Sequence, residues 1–135
     1  MTDVQEFRIT LTVDDFDAAV RLYRDALGLP EVADWSGEQG RVLLLDAGRA
    51  TLELFDEAQA AMVDDLEVGR RVSGKVRFAL QVPDADAAAA SLVDAGATAV
   101  ADVVLTPWGD RNARVAAPDG MQLTLFTLAD PGVVQ

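Results

Sequence analysis

The sequence predicts a single α+β domain, residues 1–135, built from two tandem βαβββ modules. An internal repeat relates the two halves of the chain. Each copy opens with strand-like alternation and continues with the helix-like spacing of apolar residues. Half of the 135 residues are apolar, so one core can form without disulfides or metal ions.

The repeat sets the expected boundaries of the modules. A shift of 69 positions places residues 8–19 on residues 77–88. Matched alanines carry little weight in an alanine-rich chain, but the arginine, valine and aspartate pairs are informative. These pairs are Arg8/Arg77, Val13/Val82, Asp15/Asp84, Asp17/Asp86 and Asp25/Asp94. We expect module one at 5–56, a connector at 57–74, module two at 75–128 and a C-terminal tail at 129–135.

The first strand and the helix of each module have local signals. Residues 8–13 alternate between polar and apolar side chains, which is the period of a half-buried strand. Asp15 is the predicted N-cap of the helix that follows, and Gly28 suits the left-handed residue beyond its end. Asp84 and Gly96 are their counterparts in module two.

Three shorter strands are expected after each helix, separated by turns that contain glycine or proline. They are predicted at 31–35, 41–47 and 51–55 in module one, and at 100–105, 112–117 and 122–128 in module two. A short helix around 58–66 is expected in the connector.

Composition excludes several kinds of function. The chain has no cysteine and no histidine, which removes disulfides, thiolate chemistry and imidazole ligands or bases. The serines therefore lack the usual partner for nucleophilic catalysis.

A formal charge of −12 disfavours nucleic acid and anionic lipid as partners. No apolar run approaches the roughly 20 residues that cross a bilayer, and the first residues are polar and acidic, so we expect a cytoplasmic protein without a membrane partner.

Four stretches carry a resemblance to a known family. They are Phe-Arg-Ile-Thr-Leu-Thr-Val-Asp-Asp-Phe at 7–16, Leu-Tyr-Arg-Asp-Ala-Leu-Gly-Leu at 22–29, Pro-Trp-Gly-Asp-Arg at 107–111, and Ala-Pro-Asp-Gly-Met-Gln-Leu at 117–123. With these motifs on a repeat, the chain resembles the glyoxalase, bleomycin-resistance and extradiol-dioxygenase superfamily, also called the vicinal oxygen chelate superfamily. The resemblance implies a cup-shaped mixed sheet with helices on its outer face. It also implies a small-molecule ligand in the cleft between paired modules, and a homodimer.

The resemblance implies four metal-ligating positions as well. Catalytic members hold a divalent cation with a His or Gln, a Glu, a His and a Glu on four strands. The corresponding positions here are Arg8, Glu53, Arg77 and Thr124. An arginine is always protonated and only donates hydrogen bonds, so it would repel a cation. We therefore expect neither a metal ion nor another cofactor.

Strand alternation predicts which residues face the cleft, and two interpretations of its charges remain open. In the structural interpretation, Arg8, Glu53 and Arg77 form a salt-bridge cluster that occupies the metal position. In the functional interpretation, two guanidinium groups with one carboxylate between them receive a carboxylate, enolate or phenolate of a ligand. If the protein is an enzyme, Glu53 is the candidate catalytic residue and acts as a base alone.

The predicted ligand-binding residues combine polar and aromatic side chains. They are Arg8, Thr10, Trp35, Glu53, Phe55, Arg77, Trp108, Thr124 and Phe126. Trp108 and Phe55 are the first candidates to stack on a flat ligand. Trp35 has the alternative of closing the core, and the helical spacing of Phe16 and Tyr23 predicts core positions.

The leading functional hypothesis is a metal-free protein that binds a small, planar organic molecule, closest in type to the antibiotic-sequestering branch. The alternative is a lyase, isomerase or dioxygenase with an atypical or metal-free site that uses Glu53. A scaffold or regulatory subunit ranks last, because no extended exposed apolar run is evident.

Overall fold

The computed structural model describes residues 3–129 and contains one open mixed sheet of nine strands. The strands are β1 Glu6–Thr12, β2 Glu31–Asp34, β3 Val42–Asp46, β4 Thr51–Phe55, β5 Val76–Gln81, β6 Thr98–Ala99, β7 Val104–Leu105, β8 Arg111–Ala116 and β9 Gln122–Thr127. The helices are α1 Phe16–Val20, which continues as a π-helical segment Arg21–Ala26, α2 Glu57–Glu67 and α3 Ala85–Asp94. The α+β class predicted from the repeat is confirmed.

The two modules join within one chain through their first strands. The strand order is β2-β3-β4-β1-β5-β9-β8-β6, with β7 also paired to β8. β1 lies antiparallel to β5, with Arg8 opposite Ala79 and Thr10 opposite Arg77. Each first strand also pairs in parallel with the last strand of its own module, β1 with β4 and β5 with β9. The two halves that the sequence repeat relates therefore also share the same pattern of strand pairing.

The predicted helix caps are present in the structure. The side chain of Asp15 accepts a hydrogen bond from the backbone N–H of Ala18 at 3.0 Å, and Asp84 accepts one from Ala87 at 3.1 Å. Each cap satisfies a backbone donor that the first turn of a helix leaves free. Gly28 follows the first helical segment with a φ of +83°, as the sequence predicted.

The outer face of the sheet packs on α1 and α3 in two apolar clusters. The first contains Phe16, Ala19, Val20, Leu43, Leu45 and Leu54, with Leu11, Val13, Tyr23, Leu29 and Leu52 packed against it. The second contains Val82, Ala85, Ala88, Ala113 and Leu125, with Leu80, Ala89, Leu92 and Val103 around it. The predicted core positions of Phe16 and Tyr23 are confirmed. The alternation of each strand leaves its other side chains on the opposite, concave face.

The connector helix α2 packs on the concave side of the sheet. A third apolar cluster holds Val42 and Phe55 of the sheet against Ala60 and Val63 of α2. Asp56 caps this helix by accepting a hydrogen bond from the N–H of Gln59 at 2.8 Å. α2 therefore forms a wall of the cleft, which the position of the connector between the modules did not reveal.

One predicted strand, 100–105, is not continuous. β6 lies just before it and β7 covers its last two residues, and the two short strands pair with opposite ends of β8. The step from Ala99 to Val104 spans five residues, whereas their partners Val115 and Asn112 are three apart. The two extra residues bulge from the ladder, and Val103 turns in to pack on the α3 cluster.

Candidate functional site

A cleft of about 570 Å³ lies on the concave face of the sheet, between both modules and α2. Eight of the nine predicted ligand-binding residues line it: Arg8, Trp35, Glu53, Phe55, Arg77, Trp108, Thr124 and Phe126. The ninth, Thr10, is buried and donates a hydrogen bond to Glu53 at 3.0 Å. The cleft is of the size that small organic ligands occupy in proteins.

Aromatic rings are distributed around the cleft. Trp35 packs on the apolar cluster between α2 and the sheet and also lines the cavity, so both interpretations of this residue stay open. Trp108 lies between β7 and β8 and is 41% exposed, which leaves a face of the indole available at the mouth. Phe55 and Phe126 are buried in the floor.

Arg8 is held by protein carboxylates. Its guanidinium donates two hydrogen bonds to Glu6, at 2.8 and 3.1 Å, and one of its nitrogens lies 3.6 Å from Glu53. It also lies over the rings of Phe126 and Trp35, at 4.8 and 5.5 Å. Burial lowers the pKa of Arg8, but the charges of Glu53 and Glu6 outweigh burial and raise the pKa above its usual value. Arg8 thus has protein carboxylates as charge partners, and Glu6 is a partner that the sequence did not indicate.

Glu53 has one bonded oxygen and one less constrained oxygen. Thr10 donates to Oε1, whereas Oε2 has Arg8 at 3.6 Å, which is longer than a hydrogen bond. The side chain is buried on the floor of the cleft, where β4 places it beside β1. Its Oε2 is therefore the carboxylate oxygen of this residue that a ligand can approach.

Arg77 is buried at 6% exposure and has few protein partners. It donates to Thr124 at 2.9 Å and lies 5.6 Å from the ring of Phe55. Within residues 3–129 it has no carboxylate at ion-pair distance, so the expected cluster of Arg8, Glu53 and Arg77 is only half formed. Burial lowers the pKa of Arg77, opposed by the charge of Glu67 and aided by that of Arg114.

Glu67, the last residue of α2, reaches the position that Thr124 holds in the sheet. Its Oε1 accepts from Thr124 at 2.9 Å and from Arg114 at 3.1 Å, and its Oε2 accepts from Asn112 at 3.1 Å. The connector thus supplies a carboxylate where the family pattern has a glutamate on the strand. Sequence reasoning missed Glu67, although its spacing from Ala60 and Val63 places it on the apolar stripe of α2.

Beneath the cleft, Arg114 connects Glu67 to a second buried acid. Arg114 is fully buried and pairs with Asp64 at 3.0 Å and with Glu67 at 3.1 Å. Burial raises the pKa of Asp64, but hydrogen bonds from Ser73 and Val72 and the charge of Arg114 outweigh it and lower the pKa to about 2. This network fixes the end of α2 against β8.

The donor set does not fit a divalent cation. Two of the four family positions carry guanidinium groups, and the remaining pair, Glu53 and Thr124, supplies one carboxylate and one hydroxyl. Glu67 is already saturated by Arg114, Thr124 and Asn112. No group of three potential ligands among His, Cys, Asp and Glu lies close enough to hold a metal in residues 3–129.

The fold and the cleft define the class: a two-module βαβββ cup whose concave face encloses a ligand-sized cavity. The model of the Glyoxalase/Bleomycin resistance protein/Dioxygenase superfamily matches residues 7–125. The chain belongs to this superfamily, whose members bind small molecules and often form dimers. Within the described part of the chain, no helix is long and apolar enough to cross a membrane. A search of curated proteins found no match.

Several solved structures share the fold. A hypothetical protein of Bacillus halodurans C-125 is 12% identical, with a TM-score of 0.69 over 98% of this chain and 99% of that one. A variant of Streptomyces coelicolor methylmalonyl-CoA epimerase in complex with 2-nitronate-propionyl-CoA is 24% identical, with a TM-score of 0.64 over 95% and 100%. Methylmalonyl-CoA epimerase of Mycobacterium tuberculosis is 22% identical, with a TM-score of 0.65 over 94% and 90%. At these identities the likeness concerns the fold.

Proposed function

We propose that this protein binds a small, flat organic molecule in the cleft without a metal ion. The observation that carries the proposal is a cavity of about 570 Å³ with Trp35, Phe55, Trp108 and Phe126 around it. Flat ligands gain both area burial and ring stacking against such side chains. Sequestration of a planar antibiotic is the form of this function that the family resemblance favours.

Intrinsic fluorescence tests the proposal directly. Trp35 and Trp108 are the only tryptophans of the chain and both line the cleft, so a ligand there changes the whole tryptophan signal. We expect saturable quenching by some members of a panel of planar natural products. A folded sample that shows no change in fluorescence or in melting temperature with any member would refute the proposal.

Two variants locate the binding site. Trp108→Ala removes a stacking surface that is already 41% exposed, so it should fold normally and bind about 3–10-fold more weakly. Leu105→Ala is the matched control, because Leu105 is 65% exposed and lies outside the cleft. Equal affinities of the two variants would place the ligand elsewhere on the protein.

Enzymatic proton transfer by Glu53 is the second candidate. It is favoured by the approachable Oε2 of Glu53 on the floor of the cleft. The methylmalonyl-CoA epimerases of like fold suggest a substrate for the test, although a net charge of −12 disfavours a polyanionic coenzyme A ester. Deuterium exchange into methylmalonyl-CoA, lost in Glu53→Gln and kept in the exposed variant Glu57→Gln, would establish this activity. If the unaltered protein catalyses no exchange, this enzymatic candidate is refuted and the binding function is the one that remains.

Homodimerisation forms part of the proposal as well. Both modules of the cup come from one chain, so ligand binding does not require a second copy. Light scattering at several protein concentrations measures the oligomeric state. A molar mass that stays that of a monomer at every concentration would refute the proposed dimer.

A further inference from the structure

The strongest unexplained feature of the cleft is the guanidinium group of Arg77. The side chain has five N–H donors, and only Thr124 accepts a hydrogen bond from it within the described chain. A buried cation is costly unless its donors are used. Glu67 and Glu53 offset its charge, but neither lies within ion-pair distance in residues 3–129. Arg77 therefore presents unused donors to the cavity that it lines.

Asn112 supplies a second unused group on the same wall. Its Nδ2 donates to Glu67 at 3.1 Å, whereas its Oδ1 is buried and has no partner in the described part of the chain. Rotation of the amide would place Oδ1 against the carboxylate of Glu67, so this neighbour fixes the orientation. Asn112 lines the cleft, but this Oδ1 has almost no accessible surface, so a ligand cannot reach it unless the side chain moves.

Two neighbouring carboxylates, Glu67 and Glu6, are already bonded and do not compete for Arg77, and Glu53 lies beyond ion-pair distance of Arg77. Glu67 is bonded to Thr124, Arg114 and Asn112, and Glu6 is bonded to Arg8 and, at 2.6 Å, to the hydroxyl of Thr51. Charges that are paired in this way have a reduced field at the cavity. The cationic character of Arg77 is therefore available to a ligand, in contrast to that of Arg8.

The sheet sets the separation of the two groups. Arg77 is on β5 and Asn112 is on β8, with β9 between them, so about 10 Å separates their strands. The arginine side chain spans part of this distance and reaches Thr124 on β9. A carboxylate bound at Arg77 would therefore have its ring among the aromatic side chains of the floor. Phe55 lies beside Arg77, and Phe126 is paired in register with Asn112.

We propose that the cleft recognises planar aromatic acids, with the carboxylate at Arg77 and the ring against the aromatic side chains of the floor. This inference rests on the proposed binding function and gives the ligand its chemical class. A carboxylate uses the donors of Arg77, and the ring packs beside Phe55.

Matched ligand pairs test the inference by tryptophan fluorescence. The compounds are 4-hydroxybenzoate and 4-hydroxycinnamate and their primary amides. A charge-assisted contact predicts at least about tenfold weaker binding of the amides. In Arg77→Met the preference for the acids over the amides should fall below about threefold. Arg111→Met removes the same charge from an exposed position and should keep the preference.

The outcomes separate this inference from the proposed function. Binding of other planar compounds, with amides equal to or tighter than acids, overturns the aromatic-acid class and leaves small-molecule binding intact. A preference for acids that persists in Arg77→Met also overturns it. If that variant does not fold, the ligand pairs on the unaltered protein decide the question. No binding of any planar compound refutes the proposed function itself.

Discussion

Replacement of Arg114 by methionine should destabilise the protein strongly. Arg114 lies on β8 with no exposed side-chain surface, and it separates two buried carboxylates, Asp64 and Glu67. Methionine keeps most of the side-chain volume but removes the charge and every donor. The two acids then face each other, and only Arg71, at 3.1 Å from Asp64, remains as a cationic partner.

The expected loss follows from the burial of the pair. Removal of one partner from a buried ion pair costs about 3–5 kcal/mol, because the remaining charge keeps its desolvation penalty. Domains of this size have a free energy of unfolding of about 5–15 kcal/mol. With a urea dependence of about 2 kcal/mol per molar, the unfolding midpoint should fall by about 2 M.

Urea denaturation followed by circular dichroism measures this change. Arg111→Met, on the same strand, is the matched control: its ion pair with Asp86 at 2.8 Å is half exposed, so the cost should stay below about 1 kcal/mol. The double variant Glu67→Gln, Arg114→Met should lose about 1–3 kcal/mol less than the sum of the single changes. Equal costs for Arg114→Met and Arg111→Met, or strict additivity in the double variant, would show that the network contributes nothing specific.

Two further predictions concern the connector and its surroundings. Because the pKa of Asp64 is lowered to about 2, its stabilisation is complete above the unfolded-state value near 4 and is lost as the pH falls towards 2. Asp64→Asn should remove about 1–2 kcal/mol of acid-sensitive stability after allowance for screening, and parallel pH profiles of stability for both proteins would contradict this. Gly40→Ala should lower the free energy of unfolding by about 1–3 kcal/mol, because a Cβ there would lie 2.4 Å from the backbone nitrogen of Gln59. Gly37→Ala, with open space around it, is the thermal-denaturation control, and equal melting temperatures would refute the steric argument.

Several parts of the site could be predicted from the sequence. Alternation along a strand fixes which side chains share a face, so the sequence alone places Arg8, Glu53 and Arg77 on the concave face. The caps Asp15 and Asp84 were likewise local signals, readable from a few residues. Their partners across the fold were not readable, because a local pattern holds no information on which distant group comes within hydrogen-bond distance.

Glu67 and Glu6 illustrate this limit. Each is one acid among many in a chain of net charge −12, and its spacing indicates the face on which it lies but not its partners. Glu67 becomes a cleft residue only because α2 packs on the concave side and directs its last turn towards Thr124 and Arg114. Glu6 lies two residues before Arg8 on β1, so strand alternation puts both on one face, but the hydrogen bond from Thr51 of β4 to Glu6 required the tertiary structure.

The sequence by itself determined the repeat, the sheet faces and the presence of arginine at two family metal positions, since these depend on residue identity and on periods of a few residues. The tertiary structure alone decided that the modules pair within one chain, that Arg8 has carboxylates at ion-pair distance and that Arg77 has none within residues 3–129. Those outcomes depend on distances of a few ångströms between segments far apart in the chain. Electrostatic and hydrogen-bond energies change over that scale, and strand periodicity does not specify it.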